Sequence, residues 1–274
     1  MRSLCQLSIV LGIFMLALTL QPRELRAQDV PTSFARTDYM DVHNVEQYLE
    51  IERTWKTLHE RLIQEGIIVY WGLYRVDAPF GSSQPYSYVT VQIYPDFAKM
   101  ENPYPTEIVE AVIAGFNEEQ QAAIANPEMA RDLMKSEYYR LVNWARGDTP
   151  VGPYLLVDYM DTPENGDAVY EEVEAKYWKP IHAARISKGM ISGWDLWSRM
   201  FTGANDEYDH ATVNAFNSFA QLAENQFTEE VINAAYPNMT EADLQKMLDE
   251  TVASRSLVRS QLWTRIDFVA APTP

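Results

Sequence analysis

Trp55-Lys56-Thr57-Leu58-His59 and Gly66-Ile67-Ile68-Val69-Tyr70-Trp71-Gly72-Leu73 form a stretch that occurs twice. It returns 123 residues later as Trp178-Lys179-Pro180-Ile181-His182 and Gly189-Met190-Ile191-Ser192-Gly193-Trp194-Asp195-Leu196. Working outward, Asp38-Tyr39-Met40-Asp41 returns after 120 residues as Asp158-Tyr159-Met160-Asp161. Tyr86-x-x-x-Thr90-Val91 and Thr106-Glu107-x-Val109 return after 122, as Tyr208-x-x-x-Thr212-Val213 and Thr228-Glu229-x-Val231. Arg140-x-x-x-Trp144 aligns with Arg259-x-x-x-Trp263 at 119. Matches in one unbroken order mark an internal duplication, and small insertions absorb the drift in spacing.

Each copy reads as strand, helix, strand, strand, helical region, strand. Residues 36–40 and 154–160 are short β-branched or aromatic runs that suit a first strand. Residues 45–64 carry Tyr48, Ile51, Trp55, Leu58 and Leu62 at helical spacing, and Gly66 stops the helix. The counterpart covers about 167–188, with a kink or restart expected at Pro180. Strands follow at 67–76 and 190–200, then 86–94 and 210–216, with hairpin-like linkers at 77–84 and 201–207. Acidic stretches 106–136 and 228–254 read as helical, and last strands lie near 139–145 and 260–269. Gly147-Asp148-Thr149-Pro150 joins the copies, and Pro272-Thr273-Pro274 is an expected frayed tail.

This order is the ferredoxin-like unit. Two such units in one chain resemble the dimeric α/β-barrel superfamily in its fused, tandem-repeat form. The Trp-Lys-x-Leu/Ile-His and Gly-x-Ile-x-x-Trp pieces are similar to poorly characterised exported bacterial members. The expected fold is therefore α+β, with two tandem βαββαβ repeats (28–150 and 151–274) closing an intramolecular barrel and helices outside. The resemblance implies several activities. Relatives include cofactor-free monooxygenases, isomerase-like or lyase-like proteins, and haem enzymes whose histidine comes from the second unit, which would point to His182.

Residues 1–27 read as a secretory signal: Arg2, a charge-free run over 7–20, and Leu25-Arg26-Ala27 before a cleavage point. A run of 14 residues is shorter than the roughly 20 needed to span a bilayer. The expectation is an exported, periplasmic or secreted protein with no membrane span after cleavage near Ala27. The formal charge of −17 becomes −19 once Arg2, Arg23, Arg26 and Glu24 leave with the leader. Such a charge repels phosphate backbones, so nucleic acid is a poor partner. Cys5 is the only cysteine and leaves too, so the mature chain has no thiolate chemistry or disulfide.

No phosphate loop, zinc-protease or α/β-hydrolase motif occurs. What remains is the repeated constellation. His59 and His182 lie at the edge of a helical apolar face, where each could be a general base, a proton shuttle or a ligand. Each could equally clamp helix to sheet through a hydrogen bond. Asp38 and Asp158, on strands opposite Tyr39 and Tyr159, are the other catalytic candidates. They would matter if they pointed into a barrel cavity, while Asp41 and Asp161 could cap the following helices. Trp55, Trp71, Tyr86, Trp178, Trp194 and Tyr208 are the candidate ligand-binding aromatics. No metal ligand set stands out, and no cofactor, substrate or oligomeric state can be read from the residues. The leading expectation is a protein binding a small apolar or aromatic molecule in the barrel between the repeats. The alternatives are an enzyme of the barrel superfamily and a scaffold for partners in the envelope.

Overall fold

The computed structural model describes residues 33–79, 85–203 and 206–272. The leader-like segment and its cleavage point lie outside them, as do parts of two expected linkers and of the tail. Eight strands, β1 (Phe34–Val42), β2 (Tyr70–Ala78), β3 (Tyr88–Tyr94), β4 (Arg131–Arg146), β5 (Tyr154–Asp161), β6 (Gly193–Arg199), β7 (His210–Phe216) and β8 (Ser256–Ala270), close into one barrel. Its strand order is β1-β3-β2-β8-β5-β7-β6-β4. Within it β4-β1-β3-β2 and β8-β5-β7-β6 are the same four-strand arrangement, and the antiparallel ladders β2–β8 and β4–β6 seal the two sets together.

Strand alternation sorts side chains between lumen and outer face. On β1, Ala35 and Tyr39 belong to the core inside the barrel, while Phe34 and Met40 pack outward against the helical layer. The outer layer of the first half holds α1 (Val45–Gln64), α2 (Thr106–Ile113) and α3 (Glu118–Ala125). Asn44 caps α1 by accepting from the Gln47 amide, in place of the expected Asp41, which is exposed. The helix stops at Gly66, whose φ of +65° suits a residue without Cβ; Gly189 repeats this at +71°.

In the second half, α4 (Asp167–Val173) and α5 (Lys179–Ser187) are separated by a π-turn over Glu174–Trp178. The turn holds one extra residue. Tyr48 and Glu52 correspond to Tyr170 and Glu174 at 122, whereas Trp55 and His59 correspond to Trp178 and His182 at 123. Pro180, just beyond, lacks the N–H for the usual bond one turn back and crowds that carbonyl, so the wider turn relieves both problems. The last helices are α6 (Glu229–Ala235) and α7 (Glu241–Ser254).

Three expectations need correction. The helical stretch 106–136 stops early: Asn126 precedes Pro127 and takes a non-helical conformation, and β4 is already running from Arg131. The stretch 228–254 breaks at Tyr236-Pro237 for the same reason. The final repeat match is out of register. Lys135 pairs with Tyr39 and Arg259 with Tyr159, so Lys135 and Arg259 are the true counterparts, 124 apart, and Arg140 corresponds to Thr264. None of the helices among the described residues is long and apolar enough to cross a membrane.

Candidate functional site

The inner faces of both halves leave a cavity of about 210 Å³ in the lumen. Its wall is apolar through the middle: Val91, Leu155, Val157, Ala211 and Val213, with the rings of Tyr74, Trp197 and Trp263. At one end stand Arg146, Asp195 and Arg265, all partly solvent-exposed. At the other, Tyr39, Tyr139 and Tyr159 form a floor.

Behind that floor the two halves carry matched polar centres, Glu137 and Gln261. Glu137 accepts hydrogen bonds from Tyr139 at 2.7 Å, Tyr208 at 2.6 Å and Lys135 at 2.9 Å, with Arg199 at 3.4 Å. Burial alone would push its carboxyl up, but Lys135 and the tyrosine donors outweigh that and hold it low, so it is ionised. Gln261 accepts from Tyr159, Tyr86 and the Trp263 indole, each at 3.1 Å. Tyr86 and Tyr208 therefore lie inside the barrel, packed against Tyr39 and Tyr159, but behind the cavity floor.

A second cavity, of about 330 Å³, lies outside the barrel between α1 and the first-half sheet. Glu52, Trp55 and His59 enter it from α1, Arg36 and Asp38 from β1, Gln92 from β3 and Arg131 from β4. Trp71 faces this side and stacks on His59 at 4.8 Å and 11°. His59 Nε2 is 3.2 Å from the Gln92 amide nitrogen, which makes it the acceptor and puts the ring proton on Nδ1. Nδ1 leans toward the Trp55 carbonyl without closing a hydrogen bond. Burial pushes this imidazole down to about 3, so it is neutral. Burial likewise pushes Glu52 up to about 7, only partly opposed by Arg131 at 3.9 Å. Asp38 is held by Arg36 at 2.9 Å and accepts from Ser136.

The second half repeats the frame but fills the space. Glu174 is also pushed up to about 7 by burial, with Arg255 at 3.4 Å, and Asp158 accepts from Ser260. His182 stacks on Trp194 at 4.7 Å. Arg185, standing where α1 has Leu62, reaches across to Asn214 at 2.9 Å and Gln226 at 3.0 Å. It also donates to His182 Nδ1 at 2.8 Å. The His182 proton is therefore on Nε2, and no lone pair there is free for an axial bond to haem iron. With Arg185 filling the adjacent space, these residues do not fit haem at His182.

Asp38 and Asp158 consequently face helices and not the lumen, and Trp71 and Trp194 are outer-layer residues stacked on histidines. Trp55 lines the outer cavity, and Trp178 donates its indole N–H to Thr251 at 3.1 Å. Glu171 joins Asp209 around His210 at 3.4 and 2.8 Å. Burial opposes protonation of His210, but these carboxylates push it up to about 9, making it the cation of that cluster. Sequence reading missed Glu137 and Gln261. Their signal was the alternation Lys135-x-Glu137-x-Tyr139 against Arg259-x-Gln261-x-Trp263, hidden by the wrong register.

Solved structures of the same architecture include a candidate monooxygenase from Lactobacillus acidophilus, at 7% identity and TM-score 0.53, covering 87% of this chain and 96% of that one. A candidate monooxygenase from Fusobacterium nucleatum is similar at 8% identity and TM-score 0.50, over 88% and 95% of the two chains. An anthrone oxidase-like protein is similar at 7% and 0.50, over 89% and 95%. These likenesses show the fold, a dimeric α/β barrel of ferredoxin-like units. No protein-family model matches the chain, and no curated protein matches it in sequence.

Proposed function

We propose that the chain is an exported protein that binds a small, largely apolar molecule in the lumen of its barrel. The observation that carries this reading is the lumen cavity of about 210 Å³, walled by both halves, apolar through its middle and polar at its ends. Export rests on the leader-like residues 1–27, and N-terminal sequencing of secreted protein tests it. The binding test uses residues 28–274 in a thermal-shift screen of small organic molecules, beside the double variant Ala35→Leu/Ala211→Leu, which fills the lumen. Ligands should stabilise the parent and leave the filled variant unmoved. Equal stabilisation of both, or none of the parent, would overturn the reading.

A second reading, an enzyme, is favoured by the cavity beneath α1. A carboxyl at about 7 can take a proton from a weakly acidic C–H or O–H near neutral pH, beside a neutral imidazole. Fold neighbours described as monooxygenase candidates and as anthrone oxidase-like support looking for oxygen chemistry. Oxygen uptake with an anthrone should then depend on Glu52 and His59. Rates unaltered by Glu52→Gln and His59→Ala would remove this reading.

A further inference from the structure

The two arginines at the open end of the lumen are in different states. Arg146 is saturated: Nη2 donates to Asp195 at 2.6 and 2.7 Å, and Nη1 donates to the carbonyls of Ala145 and Trp194 at 3.0 and 2.8 Å. Arg265 donates Nη2 to the Val151 carbonyl at 3.1 Å and lies over Phe268 at 4.3 Å. Among the described residues it has no carboxylate partner, in a chain of formal charge −17. The hydroxyls of Tyr70 and Tyr74, 2.5 Å apart, stand on the same lumen wall. The lining therefore combines one balanced ion pair, one cation without a carboxylate beside a mutually hydrogen-bonded pair of tyrosine hydroxyls, and an apolar chamber beyond.

We infer that the lumen takes a small monocarboxylate, with its apolar body among the valines and tryptophans and its carboxylate on Arg265. This rests on the lumen being the ligand chamber. A guanidinium with free donors is matched to a planar carboxylate, and the partly dry site strengthens that pairing. Size sets the body. A dry cavity of about 150 Å³ holds benzene, so about 210 Å³ admits one ring with a short side chain.

The test is calorimetric titration of residues 28–274 with three probes of one shape: 3-phenylpropionate, 3-phenylpropan-1-ol and 3-phenylpropylamine. The acid should bind at least tenfold more tightly than the alcohol, and the amine most weakly. Arg265→Gln should bring the acid down to the alcohol's affinity while leaving the alcohol unchanged, and Arg265→Lys should keep most of the preference. Ala35→Leu/Ala211→Leu, shown to be folded by circular dichroism, should lose all three probes. Acid and alcohol binding alike in the parent would overturn the carboxylate assignment and leave the chamber standing. A preference for the acid that survives Arg265→Gln in folded protein would overturn the role of Arg265. A parent that binds none of the probes would overturn both.

Discussion

Glu52 and Glu174 are buried carboxyls in matched positions, each pushed up to about 7 from an ordinary value of 4.5. Between these pH values the unfolded chain releases protons that the folded chain keeps. Their contribution to stability is therefore fully present below 4.5 and is lost as pH rises through 7. Urea denaturation of Glu52→Gln/Glu174→Gln should show a flatter pH dependence over that interval, with the difference from the parent amounting to a few kcal/mol. Identical slopes would mean the carboxyls are solvated. Arg185→Leu, which copies the first-half residue, should lower the urea midpoint while leaving Trp194 buried, as Trp71 is beside Leu62. It should cost about 1–3 kcal/mol by orphaning Asn214 and Gln226. The repeat made His59 and His182 visible as a pair. It could not show that Arg185 makes their surroundings unlike, because a cavity is a property of what a neighbouring side chain leaves empty. Nor could alternation say which face of β1 is inward. Asp38 and Tyr39 were plainly opposite, and only the closed barrel decides between them.

Helix α1 was legible along its span because apolar spacing and the Gly66 stop agree, whereas its cap is Asn44 and not the expected Asp41. Gly66→Ala and Gly189→Ala meet no atom within 4 Å, so their cost is backbone strain alone. Each should lower stability by about 1–2 kcal/mol, and the pair should be additive in urea melts. The π-turn gives a sharper expectation. Deleting Ala175 forces Pro180 into a regular helix and should cost about 3 kcal/mol or more. Adding Pro180→Thr, copying Thr57, should recover most of that loss; no recovery would detach the turn from the proline. The long acidic segments were the least legible elements. Their composition suits helix throughout, whereas the switch to strand at Arg131 and Ser256 is driven by pairing with β1 and β5, residues far away in sequence.

At the scale of the whole molecule, element order and duplication were enough to anticipate a barrel of two halves. The lumen was not foreseeable in detail, because its walls depend on the register of β4 and β8. Each half alone would leave the edges of β2 and β4 unpaired and the lumen face bare. Residues 28–150 expressed alone should accordingly run as a dimer or aggregate in light-scattering chromatography, and a stable monomer would contradict the dependence on both seams. The start of β1 and the end of β8 lie on one rim of the barrel. Phe34 pairs with Tyr94, Tyr70 with both Ile93 and Ala270, and the connection 147–153 meets the same rim through the bond from the Arg265 amide to the Pro153 carbonyl. Three strand spacings, about 15 Å, separate the start of β1 from the end of β8, a gap that about five extended residues can bridge. Topologically, then, the molecule is a ring opened at an arbitrary place. A gene reading β5 to β8 first and β1 to β4 second should close the same barrel, so the order of the halves imposes nothing on the architecture.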